Sequence, residues 1–439
     1  MFLNKYLWGV LLTGPKPIND LFGWFVHRLT ANYWSLALCA VLAAPLVFAA
    51  SLHADRNGLT AWILDRDLAP VASAETARDA AALIAGIDAA FLTLYFSISL
   101  IVLTIAAGNL GVRLIDRWLA KRLVRVSIAG LCFTLIHATL TMNAMDADAD
   151  LIDTPLATFA STVFLLMVNT VMLAVATHDL GRTMFVDRAI DAVAVDGRSS
   201  VIKLASELQV DRSWSDGVRA PRSGYVEGIE LRRLDKALTD SGHARLEVAP
   251  GQHVLKNQLL VSCEKGCGNP KAVLRAIPIG KFRSNTQGAV FQIRLLVEIA
   301  ARALSPAVND FYTALAAVDA LTEVASGHCE NWIDDDSTPV SLEYPSITLP
   351  GQDFRGLFED PLAALRQAAA DYPSVSLRIL GNLKRLIRLH CSDAPGLVAF
   401  LTEYGAELHQ QARARCEIDK DKDALDRSLA QLRAEAGTG

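Results

Sequence analysis

Four apolar stretches, at about 34–52, 83–107, 124–142 and 156–177, dominate the first half of the chain. Each is long enough to cross roughly 30 Å of hydrocarbon at about 1.5 Å per residue, so the pattern predicts four transmembrane helices over 34–178. In the segment before them (1–33), Asn19 and Asp20 precede Leu21, Phe22, Trp24, Phe25 and Leu29. That aromatic-rich run fits a short interfacial helix, and equally an extension of the first span. Beyond the spans the period changes. Residues 179–220 repeat at helical spacing through Ile190, Val193, Val201 and Leu204, and predict a helical connector. Residues 221–285 carry short alternating runs around Tyr225, Leu246, Val254 and Val261 with a Pro250-Gly251 turn, and predict a small β-barrel-like or sandwich module. Residues 286–439 return to helical patterns, interrupted by a Ser/Asp/Pro-rich loop at about 328–360. The fold class expected is a four-helix integral membrane domain followed by an α+β cytoplasmic domain.

Orientation follows from charge. Lys5, Lys16 and Arg28 precede the first span, and Arg113, Arg117, Lys121 and Arg122 separate the second from the third. The short loop before the fourth span carries Asp146, Asp148, Asp150 and Asp153 and no basic residue. Basic loops stay in the cytoplasm, so a multi-pass protein with both termini inside is expected. Lys5 and the short apolar run after it are followed by Pro15 and Lys16, not by a small-residue cleavage site, so a cleaved signal peptide is not expected.

Composition agrees: 52% of residues are apolar, 20% are charged, and the net charge is -5. This argues against a disordered chain and against a dedicated nucleic-acid binder. The seven cysteines are scattered, as suits a reducing compartment. Cys263 and Cys267 read as free thiols in a turn, because only His243 and His253 are near enough in sequence to complete a zinc site. Asp235-Lys236-Ala237 imitates a lipoyl attachment tripeptide, but its leucine spacing is helical, and no cofactor is expected.

Polar residues inside the spans are the first candidates for function. Asp88 and His137 are ionisable and each lies about five residues from the outer end of its predicted span, close enough in depth to pair. The alternative has Asp88 in interfacial water and His137 on a backbone carbonyl. Thr93 and Ser97 on the second span and Asn169 on the fourth complete a candidate polar pathway, or else bond the helices together. Arg113, Arg117 and Lys121 recur every fourth residue and are candidates for lipid headgroups. In the second half, Arg294, Glu298 and Arg302 form a charged row on one helix, and Ser305, Asn309 and Asp310 follow in a turn. These six are candidates for a subunit interface or ligand contact. Asp334-Asp335-Asp336 is not expected to hold a metal, since neighbouring carboxylates point apart.

At these residues a resemblance emerges. Phe96-Ser97-Ile98-Ser99, Gly111-Val112-Arg113, Ser223-Gly224-Tyr225-Val226, and above all Ile299 through Asp310 (IAARALSPAVND) with Thr313-Ala314 resemble the bacterial predicted membrane proteins grouped as domain of unknown function 2254. The family often has Asp at Gly288 and Pro at Phe311 and Val112. The resemblance implies an integral protein of the bacterial inner membrane with a cytoplasmic domain, and supplies no activity.

Phosphate loops, dinucleotide glycine patterns, His-Glu-x-x-His and nucleophile elbows are absent from the sequence, so no enzyme is motivated. The function expected is a homo-oligomeric channel- or transporter-like protein with a cytoplasmic gating or sensing domain, in contact with the lipid bilayer, for an ion or small ligand the sequence does not name. The alternative is a membrane-anchored signalling or scaffold protein.

Overall fold

The computed structural model describes residues 35–110, 121–183, 186–208, 213–214, 216–281, 288–334, 336–390 and 394–437. The expected interfacial helix before the first span lies outside the described residues, as do Arg113 and Arg117. The chain divides into two compact units, one of residues 1–108 and 112–185, the other of 109–111 and 186–439.

The first unit contains α1 (Ser35–Ala54), α2 (Thr60–Asp65), α3 (Ala74–Leu110), α4 (Arg122–Asn143) and α5 (Leu156–Thr183). The helical stretches Ser35–Asp65, Ala74–Ile105, Arg122–Asn143 and Leu156–Arg182 are long and apolar enough to span a membrane, with window hydropathies of 2.2, 1.9, 1.7 and 2.1. Their burial is inverted relative to a protein in water. Leu42, Leu46, Leu83, Leu100, Ile101 and Val171 are exposed, whereas Asp88, Thr134, His137, Thr158 and Thr162 are fully enclosed. A hydrocarbon surround demands this arrangement, because it accepts leucine freely and penalises polar atoms.

Two helix boundaries in this unit were not evident from hydropathy. The first stretch breaks after Ala54, where Asn57 leaves helical geometry and Gly58 adopts φ 99°, a left-handed value that favours glycine. The second span starts at Ala74 rather than near 83. Ser73 caps it, its hydroxyl accepting from the Thr76 amide at 3.2 Å, and the alanine-rich first turns are good helix formers. Asp88 therefore lies about 20 Å along the helix from its first residue.

The second unit opens with α6 (Val186–Ser199), then β1 (Leu204–Leu208), β2 (Asp216–Arg219), β3 (Gly224–Val226), α7 (Leu231–Ala237), β4 (Ala244–Leu246), β5 (His253–Val254), β6 (Leu259–Cys263), α8 (Pro270–Ala276) and β7 (Ile279–Gly280). There follow α9 (Ala289–Ala303), α10 (Phe311–His328), β8 (Ser337–Ser341), β9 (Ile347–Thr348), α11 (Phe354–Ala369), α12 (Pro373–His390), α13 (Pro395–Arg415) and α14 (Asp419–Ala436). The strands form a six-stranded sheet in the order β1-β8-β9-β4-β6-β2 and a three-stranded sheet in the order β5-β3-β7. Val226, Leu234, Val254, Leu260, Val261 and Val273 form the core beneath them.

Four expectations are corrected here. The sheets do not close into a barrel among the described residues. Residues 204–208, expected to continue the helical connector, are β1, which pairs antiparallel with β8 from Leu204↔Ser341 to Leu208↔Ser337. The partner is some 130 residues away, and such a long-range pairing leaves no mark on local periodicity. The 328–360 segment, expected to be a loop, supplies that partner, β9, and the start of α11. Cys263 and Cys267, expected as free thiols, form a disulfide with Cα atoms 5.7 Å apart, the turn between them using Gly266 at φ 89°.

α9, whose Leu295, Leu296, Ile299 and Ala303 are fully buried, packs against α6, α10 and α11. The Ala-Leu-Ser-Pro-x-x-Asn-Asp run is the corner joining it to α10. The Ser305 hydroxyl donates to the Arg302 carbonyl at 2.7 Å, Asn309 takes a left-handed φ of 48°, and the Asp310 amide donates back to the Ala303 carbonyl at 2.8 Å. Asp310 then caps α10, its carboxylate accepting from the Thr313 amide at 3.1 Å.

Candidate functional site

The helices of the first unit meet along a polar seam. At one end Asp55, just past α1, is 7% exposed and saturated with donors. Its Oδ1 accepts from the Thr60 hydroxyl at 2.8 Å and the Ala157 amide at 2.9 Å. Its Oδ2 accepts from the Thr158 amide at 2.9 Å and the Thr158 hydroxyl at 2.7 Å. The amides belong to the first turn of α5, whose N–H groups have no partner within the helix, and the carboxylate also opposes the positive end of the helix dipole. Asp55 is thus a capping residue supplied from a different helix. The break at Gly58 lets the chain turn so that Thr60 also reaches α5, accepting from the Leu156 amide at 3.3 Å. Beside this clamp lies a recess of about 420 Å³ lined by Asp55, Arg56, Gly58, Thr60, Asp153 and Thr154 among others.

One turn further along α5, the Thr162 hydroxyl meets His137 Nδ1 at 3.1 Å and the Thr141 hydroxyl at 3.2 Å, and donates to the Thr158 carbonyl at 3.0 Å. With that proton given to a carbonyl, Thr162 accepts from an Nδ1–H imidazole. Phe133 stacks on the ring with centroids 6.0 Å apart and Phe48 meets it edge-on at 6.1 Å. Nε2 is buried without a hydrogen-bond partner among the described residues.

Deeper along α5, Asn169 ties three helices together. Its Nδ2 donates to Asp88 Oδ1 on α3 at 3.3 Å and to the Gly130 carbonyl on α4 at 3.3 Å. Asp88 is 0% exposed, and its Oδ2 has no hydrogen-bond partner among the described residues. A Cβ on Gly130 would stand 3.0 Å from Asn169 Oδ1, so the glycine is what lets the carboxamide lie against α4. Thr134, one turn from Gly130 on the same helix, is 0% exposed and its hydroxyl is likewise without a partner.

The candidates read from the sequence separate on this geometry. Asp88, His137 and Asn169 all sit on the seam, but Asp88 bonds Asn169 and His137 bonds Thr162; no bond joins Asp88 to His137. Neither of the alternatives holds either: Asp88 is enclosed, and the imidazole meets a hydroxyl rather than a carbonyl. Thr93 and Ser97 are exposed on the outer side of α3 and turn back on their own helix, donating to the Ala89 and Thr93 carbonyls at 2.9 and 2.8 Å. Lys121 pairs with Asp179 of α5 at 2.9 Å. In the second unit Arg294, Glu298 and Arg302 are half-buried on α9 and all engaged, while Ser305, Asn309 and Asp310 shape the α9–α10 corner.

Sequence reasoning missed Asp55, Thr158, Gly130 and Thr134. Asp55 stood among loop acids, and its only signal was the Asn57-Gly58 pair that breaks the helix. Gly130 and Thr134 differ from Thr139 and Ser161 only by which way their helix faces.

A polytopic helical membrane unit with a polar interior, joined in one chain to a mixed helix-and-sheet unit, is the class these observations define. Within that class residues 30–385 match the family described as predicted membrane protein, DUF2254, and the chain belongs to that family. Uncharacterised proteins of Mycobacterium bovis and Mycobacterium tuberculosis are each 26% identical to it over 354 residues, covering 75% of this chain and 67% of theirs. No solved structure matches the chain.

Proposed function

We propose that the protein is a homo-oligomeric, channel- or transporter-like protein of the bacterial inner membrane that moves a proton or small cation along the seam, with the second unit acting from the cytoplasm as a gate or sensor. One observation carries this reading: Asp88 and His137 are ionisable, fully enclosed between apolar helices, and each keeps one polar atom without a hydrogen-bond partner among the described residues. Polar groups at membrane depth are costly to keep, and an ionisable one there points to function by default. The recess at Asp55 supports the reading as a water-accessible mouth, since Asp55, Arg56, Thr60, Asp153 and Thr154 line it. Four helices enclose little space, so assembly of several copies completes the pathway.

The test is flux. In proteoliposomes carrying an internal pH dye, with a Na⁺ or K⁺ gradient imposed, the parent protein is expected to dissipate the gradient. Asp88→Asn and His137→Ala should each slow it at least about tenfold, the change produced by roughly 1.4 kcal/mol at a rate-limiting site. Absence of flux in the parent protein sinks the pathway, and the rival reading, a membrane-anchored signalling or scaffold protein, then takes its place.

A further inference from the structure

We propose that Asp88, Asn169 and Gly130 form a binding site for one small monovalent cation of the Na⁺ class. The inference deepens the pathway reading, on which it rests for its role in transport, but it makes its own claim about binding.

The donor set comes first. A carboxylate from α3, a backbone carbonyl from α4 and a carboxamide from α5 converge on one point, held by the two 3.3 Å bonds of Asn169 Nδ2. All are oxygen-bearing groups of the kind hard cations prefer, with no sulfur or imidazole, which disfavours the softer transition metals. The Asn169 amide is adaptable: a half-turn exchanges its nitrogen and oxygen at nearly the same positions, so a side chain now donating to Asp88 can accept a cation through Oδ1. Its Oδ1 already lies close to α4, where Gly130 leaves room. The Thr134 hydroxyl, buried and without a hydrogen-bond partner among the described residues, stands one turn from Gly130 on α4.

Charge comes second. A carboxylate enclosed in hydrocarbon must be neutralised, by a cation or a proton. Among the described residues no lysine or arginine is buried, so no side chain of that kind serves as counter-ion. The other enclosed ionisable groups near the seam are committed elsewhere, Asp55 to the start of α5 and His137 to Thr162. One negative charge is balanced by one monovalent ion, whereas a divalent ion would leave a net positive charge at the same depth. The two bonds of Asn169, at 3.3 Å, are longer than the roughly 2.7–2.9 Å of a strong bond to an ionised group, so displacing them costs little. A proton competes for the same carboxylate.

The experiment is thermal unfolding of the full chain in nanodiscs, followed by tryptophan fluorescence at pH 8, with NaCl titrated against choline chloride at constant ionic strength. The melting midpoint is expected to rise saturably with Na⁺, by about 5 °C at a hundredfold excess over the dissociation constant, and not with choline. The half-saturating Na⁺ should increase as pH falls from 8 to 5. Asp88→Asn should abolish the response. Gly130→Ala keeps every polar group yet crowds Asn169, and should raise the half-saturating Na⁺ about tenfold, the equivalent of one weakened ligand. If Asp88→Asn fails to fold, the glycine variant and competition of ²²Na⁺ binding by acid decide. No Na⁺-specific shift in the parent protein, an undiminished response in Asp88→Asn, or an unchanged half-saturation in Gly130→Ala overturns the site. Na⁺ stabilisation without liposome flux upholds the site and removes the transport reading; flux without Na⁺ stabilisation overturns the site alone.

Discussion

His328 at the end of α10 shows how one buried side chain sets a pH limit. It is 1% exposed, its Nε2 meets the Gly197 carbonyl at 3.3 Å, and Phe358 lies edge-on with centroids 5.8 Å apart. Burial holds its pKa below the ordinary imidazole value, and the bond to Gly197 opposes that only in part. The neutral ring is the one that fits, so the unfolded chain binds the proton more readily than the folded one. The stability contributed is complete above the ordinary value near 6.5 and is lost as pH falls through it toward the lower folded value. The melting midpoint of purified protein should therefore drop between pH 7 and pH 5, and His328→Gln should flatten that slope; an identical slope in the variant would assign the effect elsewhere. The same scale explains what the sequence concealed. Thr93 and Thr162 are both threonines in apolar stretches, yet one faces outward and the other holds His137, because a few residues' rotation about a helix axis decides the side.

Helices are positioned by their ends as much as by their faces. α5 begins on a carboxylate that belongs to the end of the first span, and Asp55 satisfies two of its amides together with the Thr158 hydroxyl. Asp55→Ala removes a cap and leaves those amides to find water, at a cost of about 2 kcal/mol. The expected result is a lower melting midpoint with the spans still inserted, read by tryptophan fluorescence and by protease protection in vesicles. A wild-type midpoint would mean that packing alone holds α5. The α9–α10 corner repeats the theme: its motif was conspicuous in the sequence, and the structure gives its Ser, Asn and Asp the work of ending one helix and starting the next. A motif's distinctiveness can therefore mark a demanding backbone turn as well as a ligand.

For the whole molecule, the charge asymmetry of the short loops predicts an orientation. If both termini are cytoplasmic, the recess at Asp55 and the Asp153 turn lie on the opposite side of the membrane. A cysteine introduced at Asp153, which is exposed, should react with a membrane-impermeant maleimide in intact cells, above the background of the parent protein. One placed at Ile418, 62% exposed in the second unit, should react only after lysis. Labelling of the second position in intact cells would reverse the topology.

The sequence by itself determined the four spans and the family, because hydropathy summed over some 20 residues outweighs any tertiary contact and a long motif is locally complete. It determined that Asp88, His137 and Asn169 needed an explanation, because a polar group in hydrocarbon is costly wherever it sits. Only the tertiary structure decided their partners: Asp88 with Asn169 and Gly130, and His137 with Thr162. Only it brought β1 to β8 across most of the second unit, and Asp55 to the start of α5. These pairings depend on which faces of separate elements meet in space, and separation along the chain carries no record of that.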